Sequence, residues 1–220
     1  MDGNFVEIGA KLGMYFIPFL FALCFHEWAH GYVAMLKGDN TAKMMGRLTL
    51  NPMAHADPIG TFLLPIAAIV LNSPFFFGWA KPVPVNERNF KKPKMDMFWV
   101  ALAGPASNFF LAFIGMFALA VVYAKFQGAN PLYIRMLETF LVINLFLAVF
   151  NLIPIHPLDG GKVLEPFLPI KWNIWLEQNQ GALNMGLLVF LLFAGRVLAY
   201  PVYILAGVFQ SGAHSLSTML

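Results

Sequence analysis

Two histidines and a glutamate stand close together in the stretch "FHEWAH". His26, Glu27 and His30 form the pattern H-E-x-x-H. Residues four apart on a helix share a face, with their Cβ atoms about 5–6 Å apart. Two imidazoles on one face can bind one zinc ion, and the carboxylate beside the first can act as a base on a water molecule that the metal holds. The spacing therefore indicates a hydrolytic metal site on a helix.

A structural interpretation of the same residues is that they hydrogen-bond to neighbouring helices. The sequence around them decides between the two interpretations. The stretch "LCFHEWAHGYVAML" is otherwise apolar, and ionisable groups within membrane spans are costly, rare and by default functional. We therefore favour the metal site.

The composition of the 220-residue chain predicts an integral membrane protein. Hydrophobic residues make up 59% of the chain and charged residues 11%, whereas about 25% of an ordinary soluble domain is charged. Too little polar surface remains to coat a water-soluble globule. The net charge of +3 is small, and the basic residues stand in loops, which favours membrane orientation over a nucleic-acid partner.

Apolar segments recur along the chain at residues 8–36, 59–71, 97–124, 132–153 and 183–209. A helix needs about 20 apolar residues to cross a bilayer. The last segment is interrupted by Arg196 and Pro201. We predict an all-α, polytopic helical bundle that forms a single membrane-embedded domain over residues 1–220. Its catalytic core spans about residues 8–170 and its C-terminal membrane segment about residues 183–210.

Segment 59–71 is short for a span, and both of its flanks are basic. Lys37, Lys43 and Arg47 precede it, and Lys81, Arg88, Lys91, Lys92 and Lys94 follow it. Basic loops favour the cytoplasmic side of a membrane, so both ends of the segment belong on that side. We predict a re-entrant segment that returns through "PFFFGW". The protein is then a multi-pass protein of the cell membrane, with its active site toward the cytoplasm.

A third metal ligand is expected on another segment, because catalytic zinc takes three protein ligands and keeps one position open. Asp159 is the candidate, in the loop "NLIPIHPLDGG". The alternative is that Asp159 caps a helix that begins near Gly161. If segment 59–71 is re-entrant, Asp159 emerges on the same side of the membrane as His26 and His30. The charge pattern and the ligand set thus predict the same topology.

The ordered motifs "HEWAH", "GPASN" and "NLIPIHPLDGG" resemble those of the site-2 protease family of intramembrane zinc metalloproteases. The resemblance spans roughly residues 20–170. The stretches "GRLTLNPMAHADPIGT" and "GWAKPVPVN" further resemble a compact prokaryotic subgroup without PDZ or CBS domains. This resemblance implies a three-helix catalytic core in contact with the lipid bilayer. It also implies substrates that are single-span membrane proteins, cleaved in or near their transmembrane segments.

By the same resemblance, His26, His30 and Asp159 hold one Zn²⁺ per chain and Glu27 is the general base. Gly104 and Asn108 match the family's G-x-x-x-N on the middle core helix, and Gly104 is assigned to substrate binding. Asn108 and Asn151, the asparagine ahead of the D-G pair, are the candidate oxyanion donors. For Asn108, packing against a neighbouring helix is an equal alternative.

The stretch "KPVPVN" is expected to be extended or hairpin-like. Val83 and Val85 present their amides on one edge, and the prolines between them have no amide to give. We expect that edge to pair with the unwound backbone of a substrate. A rigid proline-rich linker is an equal alternative.

Two further histidines have open roles. His55 is expected either to reach the zinc or its water, or to gate access to them, and the alternative is an ordinary loop histidine. His156 stands where the resemblance leads us to expect a proline, and we favour a spectator over a fourth ligand. The neighbouring pair of Asp57 and Pro58 is typical of a helix start, with a capping carboxylate followed by proline.

Two other classes of protein fit parts of this pattern. A membrane metal-ion transporter would also place histidine and aspartate in a membrane, but it would need no glutamate beside the ligands. Transporters usually show internal repeats, and we find none in this sequence. A non-catalytic scaffold would hold zinc in a closed four-ligand site, which His55 or His156 could complete.

Overall fold

The computed structural model describes residues 2–73, 77–126 and 128–220, and over these residues the chain contains helices but no β-strand. The α-helices are α1 (Asp2–Lys11), α2 (Ile17–Leu36), α3 (Thr41–Met44), α4 (Pro52–His55), α5 (Leu64–Val70), α6 (Pro93–Lys125), α7 (Pro131–Asn151), α8 (Asp159–Leu164), α9 (Ile170–Gln178) and α10 (Gln180–Ser217). Short π-helical segments lie at Leu12–Phe16 and Pro58–Leu63, and 3₁₀ turns lie at Glu87–Asn89 and Glu165–Phe167. The predicted all-α class is thus confirmed.

Within the described part of the chain, three helices are long and apolar enough to cross a membrane. The first is Val6–Leu36, a continuous helix made of most of α1, the π-helical segment and α2. The other two are α6 (Pro93–Lys125) and α7 (Pro131–Asn151). The last predicted segment forms the single helix α10, so the expected interruption at Arg196 and Pro201 is wrong. A proline inside a membrane helix is tolerated where neighbouring groups satisfy the carbonyl that loses its partner.

Helix α6 lies at the centre of the bundle and packs against α2, α7, α8 and α10. Small residues let the neighbouring helices approach it closely, and Ala112 and Ala120 are fully buried. Leu119 of α6 and Leu141 and Leu145 of α7 fill the space between these two helices. The long helices are thereby fixed relative to α6, which positions the polar residues that they carry.

The stretch that follows α4 turns back on itself. Asp57 accepts hydrogen bonds from the amides of Ile59 and Gly60 at 3.0 and 2.7 Å, so the predicted helix start at Asp57 and Pro58 is confirmed. The chain then runs to Asn72, whose Oδ1 accepts from Lys11 Nζ at 2.6 Å. It returns so that the Trp79 amide donates to the Gly60 carbonyl at 3.1 Å. Residues 74–76, the first half of "PFFFGW", lie outside the described residues.

Residues 80–86 form an extended segment that lies along α2. Ala80 belongs to a cluster with Phe19 and Leu23 in the first half of α2, and Val85 packs on the cluster that contains Ala34 near the end of α2. Six residues of extended chain cover about 20 Å, which matches about 14 residues of helix. The segment has no strand partner among the described residues, so the hairpin-like part of the prediction is not observed.

Asp39 ties the end of α2 to this extended segment. Its side chain is fully buried. The carboxylate accepts hydrogen bonds from the Asn86 amide and from Asn89 Nδ2, both at 2.7 Å, and from the Thr41 amide and hydroxyl at 3.1 and 2.5 Å. Burial acts to raise the pKa of the Asp39 carboxyl, but these hydrogen bonds outweigh it and lower the pKa. The ionised carboxylate is therefore the form that the fold requires.

We expect Asp39→Asn to lower the free energy of unfolding by about 1–3 kcal/mol, because hydrogen bonds to a charged group become ordinary ones and a buried donor is added. A group with a lowered pKa stabilises the fold above its unfolded pKa, about 3.9 for aspartate. The difference between the two proteins should be complete at neutral pH and shrink as the pH falls below about 4. Thermal unfolding in detergent between pH 3 and 7 measures it, and a constant difference over that range would contradict the prediction.

Candidate metal centre

Helices α2 and α8 bring His26, His30 and Asp159 together. His26 Nε2 lies 3.0 Å from Asp159 Oδ2, and His30 Nε2 lies 3.4 Å from Asp159 Oδ1. The ligand atoms of the three residues all lie within 4.8 Å of one another. Leu158 is the N-cap residue of α8, and Asp159 is the first residue within the helix. The capping alternative for Asp159 is therefore wrong.

The second nitrogen of each imidazole, Nδ1, has a hydrogen-bond partner on α6. His26 Nδ1 lies 2.6 Å from Asn108 Oδ1, and His30 Nδ1 lies 2.7 Å from the Val100 carbonyl. Both partners are acceptors, so each Nδ1 carries a hydrogen, and in the neutral imidazole each Nε2 then presents a lone pair toward Asp159. Ligands of metal ions are oriented in this way, with the outer N–H donated to a carbonyl or carboxylate.

The side-chain amides of Asn108 and Asn144 determine which group donates in the hydrogen bond between His26 and Asn108. Asn144 Nδ2 donates to the Phe140 carbonyl at 2.9 Å, and Asn144 Oδ1 accepts from Asn108 Nδ2 at 3.0 Å. Asn108 Nδ2 also lies 3.3 Å from the Ala22 carbonyl. Only Asn108 Oδ1 is then left for His26, so His26 must donate. Asn108 and Asn144 are both fully buried.

The residues present fit a bound cation. Two imidazole lone pairs converge on a carboxylate, and Asp159 Oδ2 is buried without a hydrogen bond. An arrangement of acceptors alone is unfavourable unless a positive charge lies between them. Two histidines and one carboxylate form a ligand set that catalytic zinc sites use. His55 and His156 are not among the clustered ligand atoms in the described part of the chain, so a closed four-ligand site is not formed.

Gly104 of α6 provides the space for both imidazoles. A Cβ at this position would lie 2.4 Å from His30 Nε2 and 2.6 Å from His26 Cε1. Atoms cannot approach so closely, and only glycine lets α6 pack on this face of α2. The observed contacts of Gly104 are thus with the candidate metal ligands His26 and His30, and its assignment to substrate binding stays a prediction.

Glu27 lies beside the ligands and is half-buried. Its Oε2 accepts a hydrogen bond from the Val83 amide at 2.8 Å. The structure therefore differs from the sequence-based expectation for Val83, because this amide is not open to a guest strand. The Val85 side chain packs against Ala34 and Phe90, and a role for Val85 in substrate binding stays a prediction.

The remaining predicted residues are Asn151, His55 and His156, and the structure shows the local contacts of each. Asn151 ends α7, and its Nδ2 donates to the Leu147 carbonyl of its own helix at 3.0 Å. His55 is buried, with Nε2 2.8 Å from the Thr49 carbonyl and Nδ1 without a partner. The His156 ring packs on the backbone at Gly161, where a Cβ would lie 3.0 Å from its Nδ1.

Sequence reasoning missed two residues that support the site. The Val100 carbonyl carries no side-chain signal, because any residue type could supply it. Asn144 did carry a signal, since an amide in the middle of an apolar span is costly unless it is paired. Its partner could not be read from the sequence, because Asn108 and Asn144 lie 36 residues apart on different helices.

Comparison with known proteins identifies the family. A model of peptidase family M50 matches residues 123–194. The chain is 42% identical to "Putative zinc metalloprotease YwhC" of Bacillus subtilis (strain 168), over 80% of this chain and 77% of that protein. The chain belongs to peptidase family M50. It is a zinc metalloprotease, and the resemblance to the site-2 protease family is confirmed.

Two other relatives share less sequence identity with this chain. The chain is 32% identical to "Putative zinc metalloprotease Rip2" of Mycolicibacterium smegmatis, over 68% of this chain and 55% of that protein. It is 26% identical to "Zinc metalloprotease MJ0392" of Methanocaldococcus jannaschii, over 81% of this chain and 42% of that protein. No solved structure gives a significant match.

We expect Gly104→Ala to lower the zinc content of the purified protein, because the new methyl group displaces the His26 and His30 rings. Gly115→Ala is the matched control on the same helix. At Gly115 the atom nearest to an added Cβ would be Phe140 Cδ1, at the longer distance of 3.1 Å. Elemental analysis of both variants measures the effect. Equal zinc content in the two variants would contradict the packing role of Gly104.

Proposed function

We propose that this M50 protein hydrolyses peptide bonds in or near the transmembrane segments of single-span membrane proteins. The observation that carries the proposal is the position of the ligand cluster within a candidate span. His30 and His26 precede the end of α2 by six and ten residues, which places them about 9 and 15 Å inside it. A peptide bond that reaches this cluster lies within the depth of the membrane.

His26, His30 and Asp159 would hold one zinc ion per chain. When bound there, zinc supplies a Lewis acid that polarises a carbonyl and acidifies water. The chain's own residues give this site its orientation: the Asn108–Asn144 pair and the Val100 carbonyl keep both Nε2 lone pairs directed at Asp159. In this proposal Asn108 orients the His26 ring and is not the oxyanion donor, since its Oδ1 and Nδ2 already have hydrogen-bond partners.

Glu27 is the proposed general base. It follows His26 directly, and the Val83 amide holds Oε2, which leaves Oε1 to accept a proton and pass it to the leaving nitrogen. Asn151 is the proposed oxyanion donor, because one hydrogen of its amide remains after the bond to the Leu147 carbonyl. A substrate helix must unwind to expose its backbone to these groups.

Glu27→Gln tests this assignment. We expect the variant to retain zinc, because the ligands are untouched, and to lose cleavage by about 10²–10⁴-fold, the usual contribution of general acid–base catalysis. The control is Glu177→Gln, a change at an exposed glutamate of α9. Cleavage is measured on purified single-span substrates, with and without a chelator. Wild-type cleavage by zinc-loaded Glu27→Gln would refute the role.

We further propose a cell-membrane location with the ligand cluster toward the cytoplasm and a re-entrant segment at residues 59–71. The basic flanks support this orientation. The return of the chain, in which the Lys81 amide donates to the His55 carbonyl at 2.8 Å, supports the re-entrant segment. Both flanks then lie on one side of the membrane.

Single cysteines test this topology in a Cys24→Ser background. Cysteines at Lys43 and Lys91, both exposed, should react with a membrane-impermeant thiol reagent from the cytoplasmic side. A cysteine at Phe126, which is 60% exposed at the far end of α6, is the control and should react from the opposite side. Reaction of the cysteines at 43 and 91 from different sides would mean that segment 59–71 crosses the membrane.

A further inference from the structure

The extended segment presents one backbone donor to the glutamate beside the metal ligands. The Val83 amide donates to Glu27 Oε2 at 2.8 Å. Pro82 and Pro84 flank Val83 and have no N–H, so the Val83 amide is the only donor in these three residues. The segment therefore offers Glu27 a single hydrogen bond at one defined position.

This donor is fixed in place from both sides. On one side, the Lys81 amide donates to the His55 carbonyl at 2.8 Å. Arg47 Nη2 donates to the Lys81 and Pro82 carbonyls at 2.8 and 3.2 Å. On the other side, the Asn86 amide donates to the carboxylate of Asp39, and the Asp39 side chain is fully buried.

The Val83 side chain sets the distance between the segment and α2. A Cβ at Gly31 would lie 3.3 Å from Val83 Cγ1, so the valine packs directly on the helix that carries Glu27. Val83 itself is only 8% exposed. The segment is thus packed against α2 at the turn that follows Glu27, and its amide cannot move away from the carboxylate without breaking this packing.

We propose that Val83 is a positioning residue for Glu27, whose backbone amide selects the side-chain conformation in which Oε1 faces the metal ligands. This inference rests on the proposed function, in which Glu27 is the base. A free glutamate side chain has several rotamers, and one charge-assisted hydrogen bond from a rigid donor favours one of them. The prolines on both sides keep competing amides away from the carboxylate.

This role excludes the use of the same amide by a substrate strand. An N–H group that donates to Glu27 Oε2 at 2.8 Å has no second hydrogen to give a guest backbone. Positioning of the base affects the chemical step, whereas a lost substrate contact affects binding. The two roles therefore predict different kinetic effects for the same substitution.

Val83→Pro removes the amide and keeps an extended backbone, and Val83→Ala shortens the side chain but keeps the amide. The probe is a synthetic peptide of about 30 residues with one apolar span, long enough to cross a bilayer and chosen because the wild-type protein cleaves it. We expect kcat of Val83→Pro to lie about ten- to hundredfold below that of Val83→Ala, the effect of one hydrogen bond to a charged group. KM and zinc content should be the same in both.

Binding of the same peptide is then measured in Glu27→Gln protein, which keeps an acceptor at position 27 and cannot use it as a base. Adding Val83→Pro to this background should leave the dissociation constant unchanged. Weaker binding would show that the Val83 amide contacts the substrate and would overturn the proposal. Equal kcat values for Val83→Pro and Val83→Ala would also overturn it.

Arg47→Met provides an independent test if Val83→Pro does not fold. It removes the donor to the Lys81 and Pro82 carbonyls and leaves every amide of the segment in place. We expect a lower kcat with unchanged zinc content and unchanged peptide binding in the Glu27→Gln background, and an unchanged kcat would overturn the proposal. Failure of the proposed function is a separate result, because zinc-loaded Glu27→Gln would then cleave the peptide itself.

Discussion

The convergence of three acceptors on one point is the constraint on which the rest of the structure depends. Two imidazole lone pairs and a carboxylate repel one another unless a positive charge, either a metal ion or a bound proton, lies among them. The fold must therefore hold His26, His30 and Asp159 close together, with their acceptor atoms directed at one point. Tight packing and outward hydrogen bonds both serve this purpose.

Helix α6 supplies most of that support. Gly104 admits the two rings, the Val100 carbonyl receives the proton of His30, and Asn108 receives that of His26. These three groups lie four residues apart, so they occupy one face of the helix at successive turns. Asn144 extends the support to α7. One helix face thus fixes the positions of both imidazoles and the tautomer in which each presents Nε2.

The extended segment at residues 80–86 solves a different problem. A partly buried irregular backbone must satisfy its polar groups within the protein. Prolines remove two of the donors, and His55, Glu27 and Asp39 accept from three of the others. At Val83, one hydrogen bond therefore both satisfies the backbone amide and orients the Glu27 carboxylate. Arg47 covers carbonyls on the same segment, so a loop residue far from the ligands in sequence contributes to the order of the site.

The sequence by itself indicated the membrane class and the helical architecture, and it predicted His26, Glu27, His30 and Asp159 as the site residues. These features depend on composition, on helical spacing and on the cost of charge in lipid, all of which are local properties. The sequence also indicated that the stretch "KPVPVN" is extended, since two prolines exclude a helix there.

Only the tertiary structure decided which groups meet across the chain. It showed that Gly104 makes room for the histidines, that Asn108 pairs with Asn144, and that the Val83 amide is occupied by Glu27. The sequence could not decide these points because each depends on the distance and rotation between segments that are far apart in the chain. Backbone donors such as Val83 and acceptors such as Val100 are present at nearly every residue, and packing alone selects the ones that are used.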